Sequence, residues 1–511
     1  MDSQKQEGVQ LVDSQKQGGV QLLGSQKNEL IKIVGSSNVS NDPAILENYS
    51  RDSSFCSPMK PRLLVKVNNV NEVQKIVKWA NKTNTPLIPV SSGPPHYKGD
   101  TIAGVPQAVV VDLSGMKRII SINSQHRICI VEPGVTYGQL QKALAREGLM
   151  ISTSMAPRAT KSVVTNILEA EPRLNGMSQW DFFDPLRCVE VVWGDGNRMF
   201  TGEAAQGPLD LEKQWASEKW QVVGNGPFST DFFRMLTMAQ GTMGIVTWAS
   251  LKCELLSTIH KMFFVPAERP EQLNDFIRKV LRLRFSDELM VMNGAYLASL
   301  LGETSEEVEQ LKSELPAWVA LVGIIGRKLL AEERVESQQL DIADIAQQFG
   351  LKMTSSLPGT SGEKVLNKLI NPSGEKYWKE TAKGAFEDIF FLTKLDKTTL
   401  FINMAYRLAE KEDYPISDMG IYIQPKHRGS CYHLEFNLPY NPNCAKSTEK
   451  TKNLFLKASE QLCAMGAYFS RPYGIWSKLQ LNKDAQTTMF LKDLKGIFDP
   501  NNIMNPGKLA V

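Results

Sequence analysis

Apolar residues recur along this chain in two periods, and the two alternate. Leu63-Leu-Val-Lys-Val67, Pro86-Leu-Ile-Pro-Val90 and Ala108-Val-Val-Val-Asp-Leu113 are short apolar runs of strand length. Between the first two, Asn71–Ala80 places Val73, Ile76, Val77 and Ala80 on one face of a helix. Thr136-Tyr-Gly-Gln139 has the spacing of a capping box and opens a helix carrying Leu140, Ala143 and Leu144. Residues 186–200 and 241–255 supply further strands. From about 257 the order becomes strand–helix–strand. Lys261–Val265 precedes a helix from Pro270, and Thr304 to Glu307 caps the next helix. Trp318–Ile325 is then a strand, followed by a long helix that stops at Gly350. This block predicts a separate antiparallel sheet covered by helices. The last 50 or so residues hold a helix, an aromatic-rich segment and a tail of Pro, Asn and Gly.

The N-terminus repeats with a period of 11. Asp2–Val12 and Asp13–Leu23 are near copies, and Gly24–Val34 is a third. Interior glycines weaken the first two as helices, so only the third predicts a helix leading into a domain. Residues 1–25 are expected to be a duplicated, mobile tail; an interaction role for the repeat is the alternative.

The 511 residues are 42% hydrophobic, enough for more than one core. A net charge of +3 from 58 basic and 55 acidic residues gives no reason to expect nucleic acid or an anionic membrane as partner. No apolar run reaches membrane-span length. The polar start does not look like a signal peptide. Seven cysteines without CxxC spacing suggest reduced thiols and a cytoplasmic, soluble protein. Five histidines without metal-ligand spacing predict no metal site.

The chemistry lies in several stretches in a fixed order: Pro89-Val-Ser-Ser-Gly-Pro-Pro-His-Tyr-Lys-Gly-Asp-Thr101, Val131-Glu-Pro-Gly-Val-Thr-Tyr137, Ala156–Ile167, Gly241-Thr-Met-Gly-Ile-Val-Thr247 and Phe498-Asp-Pro-Asn-Asn-Ile-Met-Asn-Pro-Gly-Lys508. With these, residues 45 to 509 resemble the vanillyl-alcohol oxidase / p-cresol methylhydroxylase flavoproteins. The resemblance implies an α+β fold: a PCMH-type FAD-binding domain of two α+β subdomains (26–256), an inserted antiparallel-sheet cap over the substrate (257–460), and a C-terminal segment returning to the FAD domain (461–511). It implies FAD as cofactor and a small-molecule substrate. It leaves O2 or an electron-carrier protein as acceptor, and a homodimer as the assembly to expect.

The resemblance also nominates residues. In the Pro89–Thr101 loop, Ser91, Ser92, Gly93, Pro94 and His96 stand where the family binds the FAD pyrophosphate, although Pro94 and Pro95 lack the N–H of ordinary donors. Pro133 and Gly134 fall near the flavin edge, where a proline accompanies oxygen access; oxidase and dehydrogenase stay open. Thr160, Ser162, Thr165 and Asn166 are expected flavin contacts, although Val163–Thr165 replace glycines that let backbone approach the ring. Gly244, Ile245, Asn505 and Lys508 complete the cofactor set. Covalent flavin would use His96 or one of Cys431, Tyr432 and His433, but His96-Tyr-Lys-Gly99 is one residue shorter than the tethering spacing, so non-covalent FAD is expected.

For catalysis, His433 and Glu435 are two apart and share one face of a strand. Gly420-Ile-Tyr-Ile-Gln424 is expected beside it, with Tyr422 and Gln424 on a common face. Such a surface could orient a substrate and move its proton, or be an ordinary solvated sheet face. Tyr97 matches the loop tyrosine that holds a phenolate in the family. Tyr468 and Arg471 stand three apart where the family has an adjacent Tyr-Arg pair. The function implied is oxidation of a para-substituted phenol or aryl alcohol by hydride transfer to flavin N5. A 2-hydroxy-acid dehydrogenase using Arg158, Arg173 or Arg471, and a non-catalytic flavin-fold protein, are the alternatives.

Overall fold

The computed structural model describes residues 24–176, 184–225, 231–374, 376–481 and 483–509. The first two copies of the 11-residue repeat lie outside the described residues. The third forms a helix over residues 24–34 that delivers Leu30 and Val34 into the first core.

That core surrounds a four-stranded sheet. Leu63–Lys66 and Leu87–Val90 pair in parallel with Val109–Asp112 between them, and Val39–Ser40 closes one edge antiparallel. Val109–Asp112 is buried along its whole length, as a central parallel strand covered on both faces must be. The crossover helix, Val70–Thr83, buries Val73, Ile76, Val77, Trp79 and Ala80. The Asn69 side chain caps its start, and Asn84, left-handed at φ 50, ends it.

A second sheet of five antiparallel strands follows in the order Ile119–Asn123, Ile128–Val131, Gly244–Lys252, Leu186–Trp193, Arg198–Phe200. Helix Tyr137–Arg146 packs beside it, its start fixed by Gln139 Oε1 accepting from Thr136 N at 3.2 Å.

The cap is a six-stranded antiparallel sheet in the order Ile259–Ala267, Trp318–Gly326, Glu288–Asn293, Gly420–Lys426, Cys431–Tyr440, Ala385–Thr393. One face packs on helices Asn274–Leu283, Ala331–Gln348, Thr398–Lys411 and Ala445–Ala464. The other packs on Gly294–Leu301, Ser305–Glu314 and Gly362–Ile370 and carries the polar residues of the site. Coverage on both sides explains why Trp318–Gly326 is uniformly apolar and buried. Ala467, Phe469, Tyr473 and Trp476 still belong to the cap core. Only beyond them does the chain return to the first sheet: Leu87 N donates to Ile503 O at 2.7 Å, and Asn505 N to Leu87 O at 2.8 Å. Asp499 makes that return possible. It is 1% exposed and accepts from Lys495 Nζ, Ile503 N and Met504 N at 2.7–3.0 Å.

No helix among the described residues is long and apolar enough to cross a membrane.

Candidate active site

The seam between the two units encloses a cavity of about 700 Å³. One wall comes from the Pro89–Thr101 loop, Pro133, Thr165, Asn166 and residues 238–246; the other comes from the cap.

The loop is held from outside. Gly99 has φ +72, and a Cβ there would lie 2.2 Å from Cys56 Sγ, so only glycine fits. Its amide donates to Asp52 Oδ2 at 2.6 Å, and its carbonyl accepts from Lys508 Nζ at 2.7 Å. Asn505 Nδ2 ties Asp100 O to Gln240 O at 3.0 and 2.7 Å. The tail signature thus braces the loop: Lys508 reaches the cavity, whereas Asn505 acts from behind its wall.

Inside the loop, Ser91 Oγ hydrogen-bonds Thr165 Oγ1, and Ser92 Oγ accepts from Ser162 N at 2.9 Å. Ser162 is fully buried. Its Oγ donates to Pro133 O at 2.5 Å and accepts from Thr165 N at 3.1 Å, capping helix Val163–Leu168. The valines expected to obstruct the flavin are therefore the first turn of a helix. Val163 goes into the core, and Val164, Thr165 and Asn166 reach the cavity. Pro133, Gly244 and Ile245 line it as well.

Other nominees are placed elsewhere. Gly93 and Pro94, at the exposed tip of the loop, and Thr160, in an exposed turn before helix Val163–Leu168, do not line the cavity. Gly134 lies behind the wall, packed against the carbonyls of Leu113, Ser114 and Met116. Tyr468 is 53% exposed; its backbone bridges Leu392 at the sheet edge, which turns its ring to the surface. Tyr473, two residues beyond Arg471, is the tyrosine of that segment in the cavity. Arg173 does not line the cavity; its Nη1 donates to Tyr137 Oη and Asn166 Oδ1, both at 2.7 Å. Strand alternation sends Tyr432 into the cap core, opposite His433, and Cys431 also lies outside the lining.

The cap wall has a buried polar centre. Tyr422 pairs in register with Glu435, and Gln424 with His433. His433 Nε2 lies 3.2 Å from Glu435 Oε2. Glu435 Oε1 accepts from Tyr296 Oη at 2.8 Å and Lys379 Nζ at 2.5 Å, and Lys379 also reaches Asp388 Oδ2 at 2.6 Å. Burial alone would raise the Glu435 carboxyl. Lys379 and the His433 contact overcome it and hold the group well below the usual carboxylate range. Burial lowers His433 to about 4, against the pull of Glu435, so the imidazole is neutral at physiological pH. Because the carboxylate faces Nε2, that nitrogen carries the hydrogen and Nδ1 keeps its lone pair. Gln424 supports the strand, its Nε2 donating to Arg173 O at 2.5 Å while its Oε1 accepts from Tyr422 Oη.

Around this centre stand aromatic rings. Tyr97 packs on Phe386 at 5.3 Å and Tyr377 at 5.2 Å, and Tyr296 stacks on Tyr422 at 5.3 Å and meets Trp378 edge-on. Tyr97 Oη is buried, and among the described residues Glu380 is the acid bearing most on it. Arg471 is 6% exposed, with its guanidinium 3.8 Å from the Phe390 ring centroid. Among the described residues, Arg471 forms no ion pair. Tyr97 and Arg471 share the cavity without touching. Arg158 is the cation beside Tyr97, whereas Lys98, Glu171, His433 and Tyr473 feel the charge of Arg471.

Lys379, Asp388, Tyr296 and Tyr377 have no motif in the sequence. A signal existed only for Tyr473, in the aromatic segment that also holds Tyr468. Lys98, within the Pro89–Thr101 loop, is held between Glu169 and Glu171 at 2.9 and 2.5 Å.

The cavity fits FAD on its own terms. Its size is that of a cofactor site, and its loop wall presents Ser91, Thr165, the Lys508 ammonium and the buried His96 Nε2, which has no hydrogen-bond partner. Comparison with known proteins agrees. Residues 61–201 match the FAD binding domain family, and residues 475–509 match the C-terminal domain of FAD linked oxidases. The fold is similar to that of p-cresol methylhydroxylase with substrate bound, at TM-score 0.80 and 19% identity over 95% of this chain and 96% of that one. It is similar also to 4-ethylphenol oxidase from Gulosibacter chungangensis, at TM-score 0.79 and 17% identity over the same shares. In sequence the chain is 27% identical to the 4-cresol dehydrogenase [hydroxylating] flavoprotein subunit of Pseudomonas putida over 245 residues, 48% of this chain and 44% of that relative. It is 29% identical to D-2-hydroxyglutarate dehydrogenase of Stutzerimonas stutzeri (strain A1501) over 216 residues, 42% of each. The chain carries an FAD binding domain and a C-terminal domain of FAD linked oxidases, and it has the fold of p-cresol methylhydroxylase. It is an oxidoreductase with FAD as its cofactor.

Proposed function

We propose that the protein oxidises a para-substituted phenol or an aryl alcohol, as the vanillyl-alcohol-oxidase branch of the family does. The observation that carries this is the aromatic chamber of Tyr97, Tyr377, Phe386, Tyr296, Trp378 and Tyr422, with a neutral, oriented histidine in its wall. Offset and edge-on rings suit an aromatic guest. Ser91, Thr165, Gly244, Ile245 and Lys508 would hold FAD, which would supply a hydride acceptor. His433 Nδ1 takes a proton from a substrate hydroxyl, and Glu435 fixes the ring and stabilises the imidazolium that forms. Tyr97 and Tyr473 donate hydrogen bonds to a substrate oxygen, and the Arg471 cation favours its anionic form. Closure of the cap face by helices keeps water from the reacting carbon. The flavin is held without a covalent bond, in a soluble, cytoplasmic protein with reduced thiols. O2 or a carrier protein takes the electrons, and the chain pairs as a homodimer.

A second reading, oxidation of an aliphatic 2-hydroxy acid, is favoured by Arg471, a buried cation without an ion pair among the described residues, and by the D-2-hydroxyglutarate dehydrogenase relative. Anaerobic titration of the flavin band decides between them. Bleaching by 4-hydroxybenzyl alcohol or p-cresol, with none by D-2-hydroxyglutarate or glycolate, supports the aromatic reading. The reverse pattern overturns it.

A further inference from the structure

Arg158 lies where the two units meet. Its backbone is clamped to the cap: Ala159 N donates to Ser373 O at 3.1 Å, and Ser373 N to Pro157 O at 2.8 Å. Four residues beyond Ser373 begin Tyr377, Trp378 and Lys379, three cavity-wall residues. The Arg158 side chain lines the same chamber, with its guanidinium 5.3 Å from the Tyr97 ring centroid. The residue is 6% exposed. Among the described residues that ring is its partner, and Arg158 makes neither a side-chain hydrogen bond nor an ion pair. The other cations near the cavity are mostly matched: Lys98 by Glu169 and Glu171, Lys161 by Glu169, and Lys379 by Asp388 and Glu435.

A buried guanidinium is expensive to keep without an anion, and its planar fork suits a carboxylate. Glu380, on the same cap segment, bears on Tyr97 yet forms no ion pair with Arg158. Among the described residues the chamber therefore offers, at one place, stacking surface and a cation without a counter-charge, suited to a negatively charged ligand. We infer that the substrate is an aromatic acid: an aryl alcohol or phenol bearing a carboxylate, which Arg158 binds while the ring stacks against Tyr97 and Phe386. This rests on the aromatic reading above and narrows it. It also separates the enzyme from one built for neutral phenols, for which this arginine would have no counter-charge.

The other anion Arg158 could meet is the FAD pyrophosphate, since His96 of the loop also feels its charge. The experiment must separate the two. Purified holoprotein is titrated with mandelate, 3- and 4-(hydroxymethyl)benzoate, and neutral benzyl alcohol. Binding is read from the perturbation of the flavin spectrum, and FAD content and FAD affinity are measured in parallel. At least one acid should bind roughly tenfold more tightly than benzyl alcohol, the worth of a charge-assisted pair. Arg158→Gln should abolish that preference with FAD affinity unchanged, and Arg158→Lys should keep part of it, which guards against simple misfolding. Three results overturn the inference: no acid is preferred, the preference survives in Arg158→Gln, or that variant loses FAD affinity instead. If benzyl alcohol or p-cresol still bleaches the flavin in those cases, the aromatic reading stands alone; if no aromatic probe binds or bleaches it, both fall.

Discussion

Replacing Lys379 with methionine tests the buried centre of the cap. Lys379 Nζ sits 2.5 Å from Glu435 and 2.6 Å from Asp388, in a residue that is 4% exposed. At an effective dielectric of about 20, each contact is worth about 6 kcal/mol of Coulomb energy. Most of that is offset by the desolvation of three charges, and removing one partner of a buried pair costs about 3–5 kcal/mol in net terms. For a domain of the cap's size this corresponds to a fall of roughly 10 °C in melting temperature. The pH dependence gives the sharper signature. In the native protein the Glu435 carboxyl is depressed, so its stabilisation is present above the ordinary carboxylate pKa and is lost as pH falls through the low folded value. Without Lys379, burial raises Glu435 and pushes Asp388 higher than its present value of about 6. Both carboxyls then stabilise the fold only when protonated, and that contribution is lost as pH rises. The gap between wild type and Lys379→Met should therefore widen from pH 4 to pH 8. Melting midpoints measured across that range, with Lys379→Met/Glu435→Gln as the rescue, check it. A gap below about 1 kcal/mol, or one that does not change with pH, would refute the account of this cluster.

Further outcomes follow from the same geometry. Acid precipitation should leave the yellow colour in the supernatant; colour in the pellet would instead promote His96 or His433 as a tether. Tyr473→Phe should slow anaerobic flavin reduction by about 10-fold or more, the loss of one oriented donor, whereas Tyr468→Phe, at a surface position, should leave it unchanged. With His433 lowered to about 4, the reduction rate should be level between pH 6 and 9 as far as this base is concerned and should decline toward pH 4; an inflection near 6.5 that vanishes in His433→Asn would show the imidazole to be far less desolvated. Lys426 is buried, and burial followed by the charges of Arg173 and Arg471 lowers it to about 7. Its depressed value means that folding is disfavoured increasingly as pH falls from the ordinary lysine range toward 7, so the melting temperature of Lys426→Met relative to wild type should rise as pH is lowered from 10 to 7.

Local sequence determined the elements and their capping. The Val73, Ile76, Val77 and Ala80 stripe, the Thr136–Gln139 box and the uniformly apolar Trp318–Gly326 run each form what they predict, because each is stabilised by contacts within a few residues or by a periodicity the chain carries itself. The order of motifs determined the cofactor, and the period of two along Cys431–Tyr440 set His433 and Glu435 on one face. What the tertiary structure decided was partnership. Whether the His433 face met water or a cavity depended on helices more than 60 residues away in the chain. Lys379 became the counter-ion of Glu435 only because a short turn from another part of the cap folds over the sheet. Tyr473 rather than Tyr468 entered the site because the Tyr468 backbone was claimed by the sheet edge at Leu392. Arg158, Arg173 and Arg471 are alike in sequence, yet Arg173 turns its Nη1 to Tyr137 and Asn166 behind the wall while the other two line the cavity. Periodicity and caps are local, so the chain carries them in plain view. Desolvation and charge pairing depend on which distant segments arrive together, and only the folded packing settles that.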